Sequence, residues 1–160
     1  MKIFRTGFGY DVHPLVENRD LVLGGIKIPH NKGLLGHSDA DVLTHALIDA
    51  LLGAAALGDI GTHFPDSDNK YKDIASTLLL SRTIEMINER GYKIGNIDTT
   101  IVLEKPKIKN FIPEMIDKLA GVLSIENSSI SIKATTTEGL GFVGREEGVA
   151  AYASVLIYKD

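Results

Sequence analysis

The stretch from Val42 to Leu57, wound as a helix, is apolar on almost every side: Val42, Leu43, Ala46, Leu47, Ile48, Ala50, Leu51 and Leu52 leave little face for water. Such a helix demands a fold that surrounds it, in a core or between subunits. Burial in a membrane is excluded, because the stretch carries His45 and Asp49 and falls short of the roughly 20 apolar residues of a bilayer span. Ser38 and Asp39 offer N-cap oxygens for this helix, and Gly58 ends it.

The rest of the chain supplies strands and helices to wrap it. A first strand is predicted from Ile3 to His13, followed by a hairpin in which Leu21–Leu23 turns through Gly24-Gly25 into Ile26–Ile28. Asn31 to His37 and Asp59 to Asn69 read as loops. A second helix is expected over Asp73–Arg90, with Leu80, Ile84 and Ile87 on one face, and a third over Asn110–Leu123. Alternation predicts strands over Ile97–Glu104, Ser129–Thr135 and Val149–Tyr158, with a glycine-rich loop between Thr136 and Gly148. No repeat or Pro/Gly/Ser linker divides the 160 residues, so one domain, 1–160, is expected. The fold class that follows is α/β (α+β): a two-layer domain with a mixed β-sheet and helices packed on one face. Small and polar residues on the other face suit cover by a partner subunit.

Composition narrows the chemistry. With 44% hydrophobic and 24% charged residues the chain is not a disordered one. Zero cysteines leave any soft-metal site to His, Asp or Glu. The net charge of -4, with no run of five basic residues, argues against nucleic acid as partner. The start, Met1-Lys2-Ile3-Phe4-Arg5-Thr6-Gly7, lacks the apolar core of a signal peptide, which predicts a soluble cytoplasmic protein, or an organellar one after removal of a transit peptide.

Asp11-Val12-His13 sits in strand-like sequence, where residues two apart point the same way and can share one cation. In isolation that pair is more often a surface carboxylate beside a hydrogen-bonded histidine. His45 alters the balance. An imidazole inside an apolar helix needs a partner, either a backbone carbonyl or a metal ion. Asp11, His13 and His45 together form a three-ligand set with a fourth position open for substrate. Asp41 and His45 lie one turn apart on the helix, and Asp39 and Asp41 either cap it or orient a histidine ligand. Gly139-Leu140-Gly141-Phe142-Val143-Gly144 matches G-x-G-x-x-G, but strand-like sequence follows it, which rules out a dinucleotide fold. Lys133-Ala134-Thr135-Thr136-Thr137-Glu138 and Arg145 gather groups suited to phosphates and a hard cation.

Taken in order, Gly-Tyr-Asp-Val-His at 9–13, Gly-Leu-Leu-Gly-His-Ser-Asp-Ala-Asp at 33–41, Ala-Leu-Gly-Asp-Ile-Gly at 56–61, Phe-Pro-Asp-Ser-Asp at 64–68, Pro-Lys at 106–107, Lys-Ala-Thr-Thr-Thr-Glu at 133–138 and Gly-Phe-Val-Gly-Arg at 141–145 closely resemble the cyclodiphosphate synthase family. The resemblance implies a homotrimer whose sheets face its centre, with active sites between neighbouring subunits. It implies Zn²⁺ on Asp11, His13 and His45, and a second site for Mg²⁺ or Mn²⁺ to which Glu138 contributes. His37 and Thr136 match positions that stabilise the transition state. Asp11, Val12 and His13, with His37 and Ser38, Asp59, Ile60 and Gly61, and Phe64, Pro65, Asp66, Ser67 and Asp68, match the surroundings of a methylerythritol phosphate. Leu103, Glu104, Lys105, Pro106, Lys107, Ile108 and Lys109 match the cytidine diphosphate site, with Ala134, Thr135, Thr136, Thr137 and Glu138. Phe142 and Arg145, with Tyr10 where Phe is common, fall where the family holds an isoprenoid diphosphate on the trimer axis. The activity implied is intramolecular phosphoryl transfer with release of CMP. Two rivals remain: a metal-dependent phosphohydrolase using the same ligands, and a nucleotide-binding module built on the 139–144 loop.

Overall fold

The computed structural model describes residues 1–160. In chain order the elements are β1 (Ile3–Glu17), β2 (Leu21–Leu23), β3 (Ile26–Ile28), β4 (Lys32–Leu34), α1 (Val42–Ala54), α2 (Ile60–His63), α3 (Ser76–Glu89), β5 (Lys93–Val102), α4 (Ile112–Leu123), β6 (Ile130–Thr135), α5 (Gly141–Gly144) and β7 (Gly148–Lys159). Five strands form one mixed sheet in the order β4-β1-β7-β5-β6, parallel only between β5 and β6; β2 and β3 make a separate hairpin. α1 lies on β1 and β7, α3 packs on α1, and α4 runs between β5 and β6 and touches α3.

The apolar helix is buried as its composition requires, with Leu43, Leu47, Ile48, Leu51 and Leu52 fully enclosed. What brings it so close to the sheet is a stripe on β1. Gly7, Gly9, Asp11 and His13 alternate onto the α1 side of the strand. A Cβ on Gly7 would lie 1.9 Å from the Ala50 carbonyl oxygen, and one on Gly9 1.9 Å from that of Ala46. The two glycines therefore let helix backbone rest directly on strand backbone. Further along the same face come the first two site residues, opposite the helical turn that carries His45.

Several local expectations change. Asn31–His37 is not all loop, since Lys32–Leu34 adds β4 to the edge of β1. α1 starts at Val42 with Asp41 as N-cap, rather than Ser38 or Asp39, and ends at Ala54, before Gly58. Asp41 does not share a face with His45. Its carboxylate turns back to accept from the Gly24 and Gly25 amides (2.9 and 2.7 Å) and from the Thr44 amide and hydroxyl (3.1 and 2.7 Å). It thus pins the β2–β3 turn, where both glycines have positive φ, to the helix start. Asp59 caps a one-turn helix, α2, inside the expected 59–69 loop, and α5 forms another inside 136–148. The outer sheet face is more aromatic than expected. Phe4, Phe8, Tyr10 and Tyr152 are exposed there, with Tyr10 and Tyr152 centroids 5.1 Å apart.

Candidate functional site

Asp11 Oδ2, His13 Nε2 and His45 Nδ1 converge on one point. The separations are 2.9 Å (Asp11–His13), 3.2 Å (Asp11–His45) and 3.1 Å (His13–His45). The far nitrogens of both rings are already engaged. His13 Nδ1 lies 2.9 Å from the Leu35 carbonyl, which only accepts, so Nδ1 carries the hydrogen. His45 Nε2 lies 2.8 Å from Ser76 Oγ. The facing His13 Nε2 is then a lone pair, the Asp11 corner is a carboxylate oxygen, and His45 Nδ1 is a lone pair when its Nε2 donates to Ser76. Three acceptors this close repel one another unless a cation or a proton stands among them. A tetrahedral zinc ion with ligands at about 2.0–2.1 Å would space them about 3.4 Å apart. The residues fit a divalent ion of that type, with one coordination position left over.

Protons compete for the same atoms. Burial pushes the Asp11 carboxyl up, but hydrogen bonds and attraction from His13 and His45 outweigh it and hold it at about 2. Burial also disfavours a charged His13, and the adjoining Asp11 carboxylate reverses that, so the imidazole's pKa lies above its ordinary value.

The three ligand atoms open into a cleft of about 500 Å³ lined also by Gly36, His37, Ser38, Ile60, Gly61, Phe64, Pro65, Asp66, Tyr71 and Leu79. His37 Nε2 donates to the Asp68 carbonyl at 3.3 Å, tying the 64–68 segment to the rim. Asp49 on α1 accepts the Ile60 amide at 2.7 Å and so anchors the start of α2. A second cleft, about 270 Å³, lies at the ends of β5 and β6 and shares no residue with the first. Leu103, Glu104, Pro106, Lys107, Ile108, Lys109, Ala134, Thr135, Thr136 and Glu138 line it. Glu104 Oε1 accepts from the Thr137 amide and hydroxyl and the Gly139 amide (2.8, 3.1 and 3.3 Å), which holds its carboxyl below the usual range.

The sequence model of the YgbB family matches residues 4–158. The chain belongs to the YgbB family. A protein of Bacteroides thetaiotaomicron named 2-C-methyl-D-erythritol 2,4-cyclodiphosphate synthase is 62% identical over 160 residues, all of both chains. One of the same name from Syntrophobacter fumaroxidans is 60% identical over 98% of each. Among solved structures, the bifunctional IspDF from Campylobacter jejuni superposes with TM-score 0.96 and 44% identity, covering all of this chain and 43% of that one. An IspF CDP complex from Plasmodium falciparum gives 0.86 and 36%, covering 98% and 97%.

Against this YgbB background, the residues singled out from sequence fall in the first cleft, in the second, or outside both. Asp11, His13, His37, Ser38, His45, Ile60, Gly61, Phe64, Pro65 and Asp66 share the first cleft. Asp59, Ser67 and Asp68 lie outside its lining: Asp59 bonds Thr62, and Asp68 pairs with Lys70 at 2.7 Å. Val12 points to the opposite sheet face, is exposed there and does not line the first cleft. Lys105 pairs with Glu146 at 2.9 Å and does not line the second cleft. Thr137 is held by Glu104, and Leu103 and Ile108 are core residues. Phe142 and Arg145 lie outside both clefts, Arg145 in a two-point pair with Glu147 (3.0 Å each). Tyr71, Leu79 and Ser76 were missed. Their helical and aromatic context reads as ordinary core, and no local pattern marks them.

Proposed function

We propose that the chain converts 4-diphosphocytidyl-2-C-methyl-D-erythritol 2-phosphate to 2-C-methyl-D-erythritol 2,4-cyclodiphosphate and CMP, a phosphorus–oxygen lyase reaction of the non-mevalonate isoprenoid pathway. The observation that carries this reading is the Asp11–His13–His45 acceptor triangle at the mouth of the first cleft, in a chain matched end to end by relatives of that name. An oxygen of the 2-phosphate attacks the β-phosphorus, the bond to the α-phosphate breaks, and CMP departs with the electron pair. A phosphate is already ionised near neutral pH and needs no strong base. The remaining task is to position two anions and offset their charge.

Asp11, His13 and His45 would hold zinc, which when bound supplies positive charge to phosphate oxygens. His37 and Thr136 stabilise the transition state from the rims of the two clefts, and Lys107 adds charge in the second. Glu138, with the Thr136 hydroxyl donating to it at 3.2 Å, offers hard oxygen for Mg²⁺ or Mn²⁺ beside the diphosphate. The methylerythritol phosphate occupies the first cleft and the cytidine diphosphate the second. In this reading the complete site forms between neighbouring chains of a homotrimer, an arrangement compatible with two clefts that share no residue, with residues 1–160 acting as one domain. The exposed aromatic face around Phe8, Tyr10 and Tyr152 is the surface the trimer covers, and an isoprenoid diphosphate sits on its axis near Phe142 and Arg145. No helix is long and apolar enough to cross a membrane, and we place the reaction in the cytoplasm.

Phosphorus NMR on the cytidylyl substrate with Mg²⁺ tests the reading. A cyclic diphosphate appearing in step with CMP supports it. An open-chain phosphate would instead establish the phosphohydrolase.

A further inference from the structure

The loop before α1 carries a carboxylate that phosphoryl transfer leaves without a role. Asp39 reaches to Ser76, the first residue of α3, accepting the Ser76 hydroxyl through Oδ1 and the Ser76 amide through Oδ2 at 3.0 Å. On its other side, Ser76 Oγ stands 2.8 Å from His45 Nε2, the ring nitrogen turned away from Asp11 and His13. Ser38 Oγ lies 3.1 Å from the same nitrogen. Ser76 is fully buried and Ser38 nearly so, which keeps bulk water from the Ser76 link, while Asp39 and His45 at its two ends are half-buried.

The direction of these bonds is settled by the carboxylate. It can only accept, so the Ser76 hydrogen is committed to Asp39, and Ser76 meets His45 with a lone pair. His45 must then carry its hydrogen on Nε2 and present a bare Nδ1 to Asp11 and His13. The opposite tautomer would aim an N–H at the Asp11 carboxylate and occupy the point where a cation must sit. We infer that Asp39, acting through Ser76, is a positioning residue that sets the tautomer and ring orientation of His45 as a ligand for a zinc-type cation.

The inference rests on reading Asp11, His13 and His45 as the cation centre. A rival explanation is structural: α3 has Ala75 as N-cap with no side-chain bond of its own, and Asp39 supplies the acceptor for its first amide. Asp39→Asn separates the two. An amide that keeps its oxygen on the Ser76 N–H must put its NH₂ against Ser76 Oγ. That frees the Ser76 hydrogen to turn toward His45 Nε2 and favours the wrong tautomer, while α3 keeps its cap and the Asp41 amide, 3.2 Å from the same Asp39 oxygen, loses its acceptor.

The experiment uses the full chain stripped of metal and titrated with zinc against a chromophoric chelator. In parallel, histidine ¹⁵N NMR reads the tautomer and thermal unfolding of the metal-free protein reads the fold. Zinc affinity should fall roughly 10- to 100-fold in Asp39→Asn, with the His45 hydrogen moving to Nδ1 and only the small drop in unfolding temperature expected from the Asp41 amide's lost acceptor. Ser76→Ala should lose less, because Ser38 Oγ can accept in its place, and Ser76→Thr should bind zinc within about 3-fold of the parent. Undiminished zinc affinity in Asp39→Asn, with His45 still protonated on Nε2, overturns the inference. So does equal loss in Asp39→Asn and Ser76→Thr that follows unfolding temperature. A parent protein that binds no zinc, yet holds the Nε2 hydrogen until Asp39 is changed, would defeat the cation centre and leave the tautomer relay standing.

Discussion

Replacing Gly9 with alanine tests the close contact that assembles the candidate metal site. The new Cβ would fall 1.9 Å from the Ala46 carbonyl oxygen and 2.8 Å from the Ala50 amide nitrogen, both in the backbone of α1. Neither atom can swing aside as a side chain would. An ordinary contact begins near 3.4 Å, so helix and strand must part by about 1.5 Å. That gap opens next to the site, since His45 adjoins Ala46 and Asp11 follows Gly9 by two residues on the same strand face. Metal–ligand distances tolerate only about 0.2 Å, and misplacement by about 1 Å commonly costs a hundredfold in rate. Overpacking of this kind costs about 1–3 kcal/mol, and the upper end applies because backbone is struck. In a chain of this length that lowers the unfolding temperature by about 6–12 °C. Zinc affinity, read by chelator competition, should drop at least tenfold. Gly53→Ala, in the same helix with nothing within 4 Å of the new Cβ, is the control and should stabilise by up to about 1 kcal/mol. A Gly9→Ala protein with the parent's zinc affinity and unfolding temperature would falsify the close-approach argument.

Removing the Asp41 carboxylate (Asp41→Ala) strands four buried donors, from Gly24, Gly25 and Thr44, and should cost on the order of 3 kcal/mol or more in a denaturant titration, with β2–β3 amides losing hydrogen-exchange protection first. Asp49→Ala frees the Ile60 amide; substrate KM should rise roughly tenfold while zinc binding stays put, and a change in zinc affinity would show that Asp49 acts on the ligands instead. Acidity should act oppositely on the two forms of the protein. His13 has its folded pKa raised above 6.5, so in the metal-free form its contribution is full below that pH and fades as pH rises through the folded value. Zinc needs the same lone pair, so zinc affinity should weaken on acidification, starting above pH 6.5, and unfolding of the zinc-loaded form should move with it; parallel slopes for both forms would refute the shared site. Asp11, lowered from 3.8 to about 2 by those same His13 and His45 contacts, reports the same interaction from its other partner: about 2 kcal/mol in the metal-free form between pH 3.8 and 6.5, lost as pH falls through 2.

Local order was readable where it comes from covalent geometry. The enclosed helix is written in Val42–Leu52, the hairpin in Gly24-Gly25, and the shared direction of Asp11 and His13 in the two-residue period of a strand. Boundaries were less readable. Ser38, Asp39 and Asp41 are all good caps by type, and Asp41 prevails because its two oxygens also accept the Gly24 and Gly25 amides, 17 and 16 residues away. β4 escaped notice because three residues with a central glycine acquire strand character only by pairing with β1.

By itself, then, the sequence determined the buried helix, the alternating sheet elements, the three side chains that meet as a candidate metal site and the family. Tertiary structure alone decided that Gly7 and Gly9 seat α1 on β1, that Asp39 reaches His45 through Ser76, and that two clefts stay separate within one chain. The division has a physical cause. Periodicity and turn chemistry act over a few bonds, whereas contacts between residues 31 or 37 positions apart exist only after packing has chosen which backbone surfaces meet.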